Sequence, residues 1–257
     1  MISPVQAADN ARKQLRSDYL ILALCLIGVI VLYYSFGTAA AVGLACLTLI
    51  YYLLVARKSA ENFLRRCWEL ELSGSAGQTG SVQFLQGRSI PSLKELQQIL
   101  ELPPSPAKGI VRQAITFTGD SLTLTALDLN YPCPLADKTL AVVSGCCLQL
   151  KSERIQGPHR IYRNAQAFSF QAVPEGYVPF GDAYLIKGVP QSEDASLLEN
   201  LGAVCCVAVL VLGNGYASVL LPGKLLGAYR PSLKVPITEA TEKAPVLPEL
   251  SILCNTI

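Results

Sequence analysis

The sequence predicts an N-terminal two-helix transmembrane hairpin followed by an α+β, mainly antiparallel β, soluble domain. Three observations predict it. Residues 19–56 form an uncharged apolar run, strand-like alternation with turn signals recurs after residue 109, and two short capped helices interrupt the strands.

The apolar run is the strongest feature. Hydrophobic residues make up 51% of the 257-residue chain and charged ones only 16%, against about 25% charged in an ordinary soluble domain. The excess lies between Tyr19 and Ala56, where no Asp, Glu, Lys, Arg or His occurs. A hydrocarbon core about 30 Å thick needs about 20 helical residues. As one helix the run would extend about 57 Å, so it divides at Ser35-Phe36-Gly37-Thr38 into spans of residues 19–35 and 38–56. Tyr33, Tyr34 and Phe36 belong to one interface, Tyr51 and Tyr52 to the other, with Trp68 further on. Gly28, Gly37, Ala39, Ala40, Ala41, Gly43 and Ala45 permit close helix approach, within the hairpin or between copies. A cleaved signal peptide would have a shorter apolar region and no second run behind it.

Flanking charge sets the expected orientation. Arg12, Lys13 and Arg16 precede the first span, Arg57, Lys58, Arg65 and Arg66 follow the second, and the connecting turn carries none. Basic flanks stay on the cytoplasmic side, which places both termini and the soluble domain there. The nine cysteines agree. Their number is odd, Cys25 and Cys46 lie in the apolar run, and Cys146–Cys147 and Cys205–Cys206 are adjacent pairs in apolar segments. Neighbouring side chains in a strand point to opposite faces, so free thiols in a reducing compartment are expected.

The organisation read from these features is a cytoplasmic segment 1–18, the hairpin 19–56, a juxtamembrane helix 57–72, a β-rich domain 73–230 and a proline-containing tail 231–257. The juxtamembrane helix has an apolar side of Phe63, Leu64, Cys67, Trp68 and Leu70, with Lys58, Arg65 and Arg66 placed for lipid phosphates. Cys67 stands where a palmitoylated cysteine can stand, although a plain thiol is the simpler reading. Residues 74–87 read as a flexible connector, and their glycines lack the Gly-Lys-Ser/Thr ending of a phosphate loop.

Beyond the connector, Ser92-Leu-Lys-Glu95 is a capping box opening a helix to about Leu102, stopped by Pro103-Pro104. Ile115–Thr118 and Leu122–Leu127 alternate around a Gly119-Asp120 turn and predict a hairpin. Further strands are expected at Thr139–Leu150, Ala167–Val173 and Tyr184–Val189, and a helix at Gln191–Leu201 capped by Ser192, with Gly202 just past its end. Ala203–Leu221 is apolar enough to suggest a third span. Its valines and the Gly213-Asn214-Gly215 break favour a buried hairpin, and a third span would put Lys224, Arg230 and Lys234 outside.

Chemistry-bearing patterns are few. A net charge of +2, with 16 basic and 17 acidic residues from Ser59 onward, excludes a nucleic-acid footprint. The single histidine, His159, has no nucleophile elbow to serve. No Cys-x-x-Cys, His-x-x-x-His or calcium-type loop occurs, so no catalytic, cofactor or metal residue is assigned. A zinc site shared by Cys146 and Cys206 and a reactive Cys133 are weaker readings than packed thiols. The distinctive cluster is Lys151, Arg154, His159, Arg160 and Arg163, a basic projection for anionic lipid or an acidic partner if Gly157-Pro158 is a hairpin tip. The functional expectation is a membrane-anchored cytoplasmic binding or scaffold module whose partners are the bilayer and a protein or a second copy. Its alternatives are an accessory subunit of a membrane complex, or a tethered enzyme using Asp128, Asp182, Arg160 and Tyr177.

Overall fold

The computed structural model describes residues 3–102, 109–134, 140–165, 175–229, 231–238 and 247–256. The chain forms two compact units, Met1–Glu71 with Pro231–Ala244, and Leu72–Arg230 with Pro245–Ile257.

In the first unit the helix begins earlier than the apolar run. Helix α1 (Pro4–Phe36) opens on a capping box, with Gln6 N donating to Ser3 Oγ and Ser3 N to Gln6 Oε1, and with Pro4 in the first turn. Ala8, Ala11, Arg12 and Leu15 make a buried face at helical spacing. Arg12 pairs with Asp9 at 2.8 Å and donates to the Leu233 carbonyl, while Asp9 also accepts from Ile237 N. The hydrogen bonds from Lys13 and Arg12 hold the Asp9 carboxyl at about 2. Residues 231–238 are thereby held to α1.

Gly37, at φ +83°, separates α1 from α2 (Thr38–Tyr51). A Cβ on Gly28 would stand 3.1 Å from Leu44 Cδ2, so the glycine lets α1 and α2 approach closely. A π-helical turn (Tyr52–Ala56) joins α2 to α3 (Arg57–Ala76), and the helix runs unbroken from Thr38 to Ala76. Next to that turn Tyr51 Oη donates to Asp18 Oδ1 at 2.8 Å, and Gln14 Nε2 donates to the same oxygen at 3.1 Å. Residues 57–72 continue the second helix, as the sequence predicts. Cys67 is buried, and desolvation raises its thiol to about 12, which leaves neither the access nor the thiolate that acylation needs.

The second unit is built on a nine-stranded antiparallel sheet in the order β1-β2-β3-β4-β9-β8-β5-β7-β6. Its strands are β1 (Gly80–Phe84), β2 (Ile110–Gly119), β3 (Thr123–Pro134), β4 (Leu140–Lys151), β5 (Arg160–Asn164), β6 (Val178–Phe180), β7 (Tyr184–Lys187), β8 (Val209–Gly213) and β9 (Tyr216–Pro222). The predicted β2–β3 hairpin forms, with Thr118 opposite Thr123 and Gly119 N bonded to Leu122 O. The apolar 203–221 stretch folds as the tail of a helix and then the β8–β9 hairpin, turned by Asn214-Gly215 with Gly215 at φ +85°.

Helix α4 (Leu93–Ile99) carries the predicted Ser92/Glu95 capping box. Leu96, Leu100 and Leu102 pack with Ala114, Leu127, Leu129, Cys147, Val209, Val211 and Leu220, whose register places them on one sheet face. On the opposite face, helix α5 (Asp194–Val204) docks through Asp194, and helix α6 (Pro248–Thr256) packs beside α5 with Leu250 and Leu253 buried.

Several expectations are corrected. The connector 74–87 is instead the end of α3, strand β1 and a 3-10 turn at Gly87–Ser89. Glu193, not Ser192, precedes α5, and Gly202 lies inside that helix. The tail contains α6, with Pro248 as its first residue, where a missing N–H removes nothing. Gly157-Pro158 is no hairpin tip, because β4 pairs with β3 and β9 while β5 pairs with β7 and β8. The predicted strand 167–173 lies outside the described residues.

Candidate binding cleft

The five basic residues read as one cluster are separated into three settings by strand parity and the crossover. Arg160 and Arg163 are both buried. Arg160 grips Asp194 through two nitrogens, Nε to Oδ2 at 2.6 Å and Nη2 to Oδ1 at 2.8 Å. Tyr162 Oη and Gln191 N also donate to Asp194 Oδ2, and Arg160 Nη1 donates to the Pro158 carbonyl. Burial acts to raise the Asp194 carboxyl, but the Arg160, Tyr162 and Gln191 hydrogen bonds outweigh it and the net shift is downward. The arginine moves up for the matching reason, its desolvation outweighed by Asp194. This carboxylate has its acceptor sites filled and works as a clamp between α5 and the sheet. A cavity of about 610 Å³ beside it is lined by Arg154, Gln156, Gln191 and Glu193. The groups at its floor are already engaged with one another.

Arg163, three residues along β5, points to the other face. Its Nη2 donates to the Glu101 carbonyl, and its guanidinium lies 5.2 Å from the centre of the Tyr177 ring. Glu101 is the only described non-glycine residue with positive φ, at 45°. It ends α4 in a Schellman arrangement, with Leu102 N bonded to Gln97 O and Glu101 N to Gln98 O. Its carboxylate receives Lys187 Nζ at 2.8 Å and Tyr177 Oη at 3.2 Å. The left-handed backbone at a glutamate is held by these side-chain contacts.

Lys151 and His159 remain together on the surface. They line a cleft of about 610 Å³ with Gln98 and Ile99 of α4, Gln149, Leu150, Gly215, Tyr216 and Ser218. Register explains the cleft. Gln149 lies opposite Ser218 and Lys151 opposite Tyr216, and residues 147, 149 and 151 share the face that α4 covers. Helix α4 ends over Cys147, so on the next two rungs, Gln149–Ser218 and Lys151–Tyr216, polar side chains line the cleft, with Lys151 exposed and Ser218 buried. Tyr216 Oη meets His159 Nδ1 at 2.7 Å, which fixes the imidazole at the rim. Arg154 lies outside this cleft.

The residues considered for catalysis do not converge. Asp128 accepts from Leu226 N and Gly227 N and caps a 3-10 turn, Asp182 lines a separate apolar cavity, Arg160 is committed to Asp194 and Tyr177 to Glu101. Cys146 faces Leu221 and is buried whereas Cys206 is exposed, and no cluster of metal-ligating side chains occurs among the described residues. Burial raises the Cys146 and Cys147 thiols, the latter to about 12, so neither is poised as a nucleophile. The side chain of Cys133 lies outside the described residues.

Sequence reasoning found Lys151 and His159 but missed Gln98, Gln149, Tyr216 and Ser218. These join the site through β4–β9 pairing and the point where α4 stops, neither of which leaves a local signal. No family model, no curated protein and no solved structure matches the chain.

Proposed function

We propose that the chain is a membrane-anchored binding module, held by a transmembrane hairpin and presenting its sheet domain to the cytoplasm. One observation carries the anchor. The most apolar window of α1 is 0% buried and that of the 38–76 helix 17% buried, whereas the core helix of a soluble protein buries its apolar face. Leu24, Ile27, Ile30, Leu47, Leu49 and Leu54 all stand exposed, an uncovered apolar surface far beyond what a water-soluble monomer tolerates. Lipid is the medium that covers such a surface without further protein.

The basic residues on both sides of the spans and the free cysteines among the described residues support a cytoplasmic orientation. A binding role, not catalysis, is supported by the commitment of the buried ionisable groups to one another and by the open polar cleft beside α4. The test is alkaline extraction of membranes together with protease protection of sealed, oriented vesicles. The expected result is a chain retained in the pellet, with Cys206 labelled only from the cytoplasmic side. Release of full-length monomer without detergent contradicts the anchor, and labelling from the opposite side contradicts the orientation.

A further inference from the structure

We propose that the cleft between α4 and strands β4 and β9 binds a phosphate monoester, with Lys151 and His159 as its charge-bearing contacts. The proposal deepens the reading of the chain as a binding module and rests on it. Lys151 lines the cleft and has no ion-pair partner among the described residues, whereas Lys187 and Lys224 are each paired with a carboxylate. Among the described residues no carboxylate lines the cleft, so an anion entering it meets no like charge from them.

The donor set selects the class of anion. His159 Nε2 is a donor when the Tyr216 hydroxyl donates to the neutral ring or when an imidazolium donates to the hydroxyl, and an anion beside Nε2 selects these forms over the neutral ring protonated at Nδ1. Lys151 supplies three N–H donors, the amides of Gln98 and Gln149 two each, and Ser218 one hydroxyl. That exceeds what the two oxygens of a carboxylate can use and suits the three terminal oxygens of a phosphate monoester. The second ionisation of such an ester falls near pH 6, so near neutrality it carries close to two negative charges for these donors to meet. Ile99, exposed on α4, gives an apolar contact for the group esterified to the phosphate.

The chain's single histidine makes the test direct. Full-length protein with isotope-labelled histidine gives one imidazole signal, whether in detergent micelles or in lipid nanodiscs. Titration with glycerol 3-phosphate at low salt is expected to shift that signal saturably. K151A should weaken the response by about tenfold or more, as loss of a charge-assisted contact does, K151R should restore most of it, and R154A should leave it unchanged. Nanodiscs of phosphatidylcholine containing phosphatidic acid distinguish the source. A signal already shifted there and insensitive to added glycerol 3-phosphate assigns the site to a lipid headgroup, whereas a response to the soluble ester alone assigns it to a free metabolite. An unmoved signal in every arm, an equal response to acetate, or an equal response in K151A overturns the proposal. Because none of these readouts depends on which side of the membrane the domain lies, failure here leaves the anchor and its orientation standing or falling by vesicle extraction.

Discussion

The two units of the chain solve opposite burial problems. In the N-terminal helices large apolar side chains such as Leu24, Ile27 and Leu47 face outward. In the sheet unit large side chains such as Phe117, Leu127 and Tyr131 are buried, single apolar residues such as Val142 stay outside, and even charged residues such as Arg160, Arg163, Asp194 and Glu249 are drawn inside. The difference teaches that burial alone does not define a core. In the sheet unit water is excluded by packing, and a charge is tolerated there only when its partners are supplied, as Asp194 is by Arg160, Tyr162 and Gln191. In the helical unit charge is absent from the whole 19–56 run, and on the proposed reading lipid surrounds it, a medium in which outward-facing leucine is stable.

The comparison breaks most visibly at the Arg160–Asp194 clamp. D194A leaves a buried guanidinium without its counter-charge and should lower the stability of the full chain by about 3–5 kcal/mol, read by urea unfolding in detergent with circular dichroism. The paired R160M/D194L change should recover much of that loss. The same pair gives a pH signature. A carboxyl lowered in the folded state stabilises fully above its unfolded value of about 3.9, and the contribution is lost as the pH falls through the lower, folded value. Acid destabilisation should therefore be shallower in D194A than in the parent.

A second substitution separates the two kinds of exposure. I27R, at a position 57% exposed, should oppose membrane insertion by about 2.5–3.5 kcal/mol. V142R, at 60% exposed on the sheet, should change stability by less than about 0.5 kcal/mol. Glycosylation-site mapping of insertion measures the first and thermal unfolding the second. Equal and small effects would mean that water surrounds both sites.

The smallest effect sharpens the boundary between local and long-range stabilisation. S92A removes the α4 cap and should lower stability by about 1 kcal/mol, several times less than D194A in the same assay. Since α4 forms one wall of the cleft, S92A should also broaden the His159 signal without shifting it.

What could be read from the sequence was what is encoded locally. The β2–β3 and β8–β9 hairpins carry their own alternation and turn residues, and the Ser92/Glu95 box lies within four residues. Strand β5 was missed because Arg-Ile-Tyr-Arg-Asn reads as a solvated loop, and the residue that makes Arg160 an interior side chain, Asp194, lies thirty-four positions away. Strand β1 was hidden by its glycine and serine. A Cβ on Gly80 would fall 2.4 Å from Phe117 Cζ, so the residue that looks like a linker is required by the pairing. Helix α6 was masked by prolines that suggest an extended tail, although Pro248 starts the helix. In the cleft, the two charged members were visible as charges. The wall that joins them to Gln149, Tyr216 and Ser218 depends on sheet register and on where α4 ends.

Everything in the contrast between the units turns on what surrounds residues 19–56. Spin labels placed singly at Leu24 and Leu47, with Val142 as the control, report that medium through collision with lipid-soluble oxygen and with a water-soluble nickel chelate. The account predicts high oxygen and negligible nickel accessibility at residues 24 and 47, and the reverse at residue 142. Nickel accessibility at residue 24 or 47 equal to that at residue 142 would contradict it.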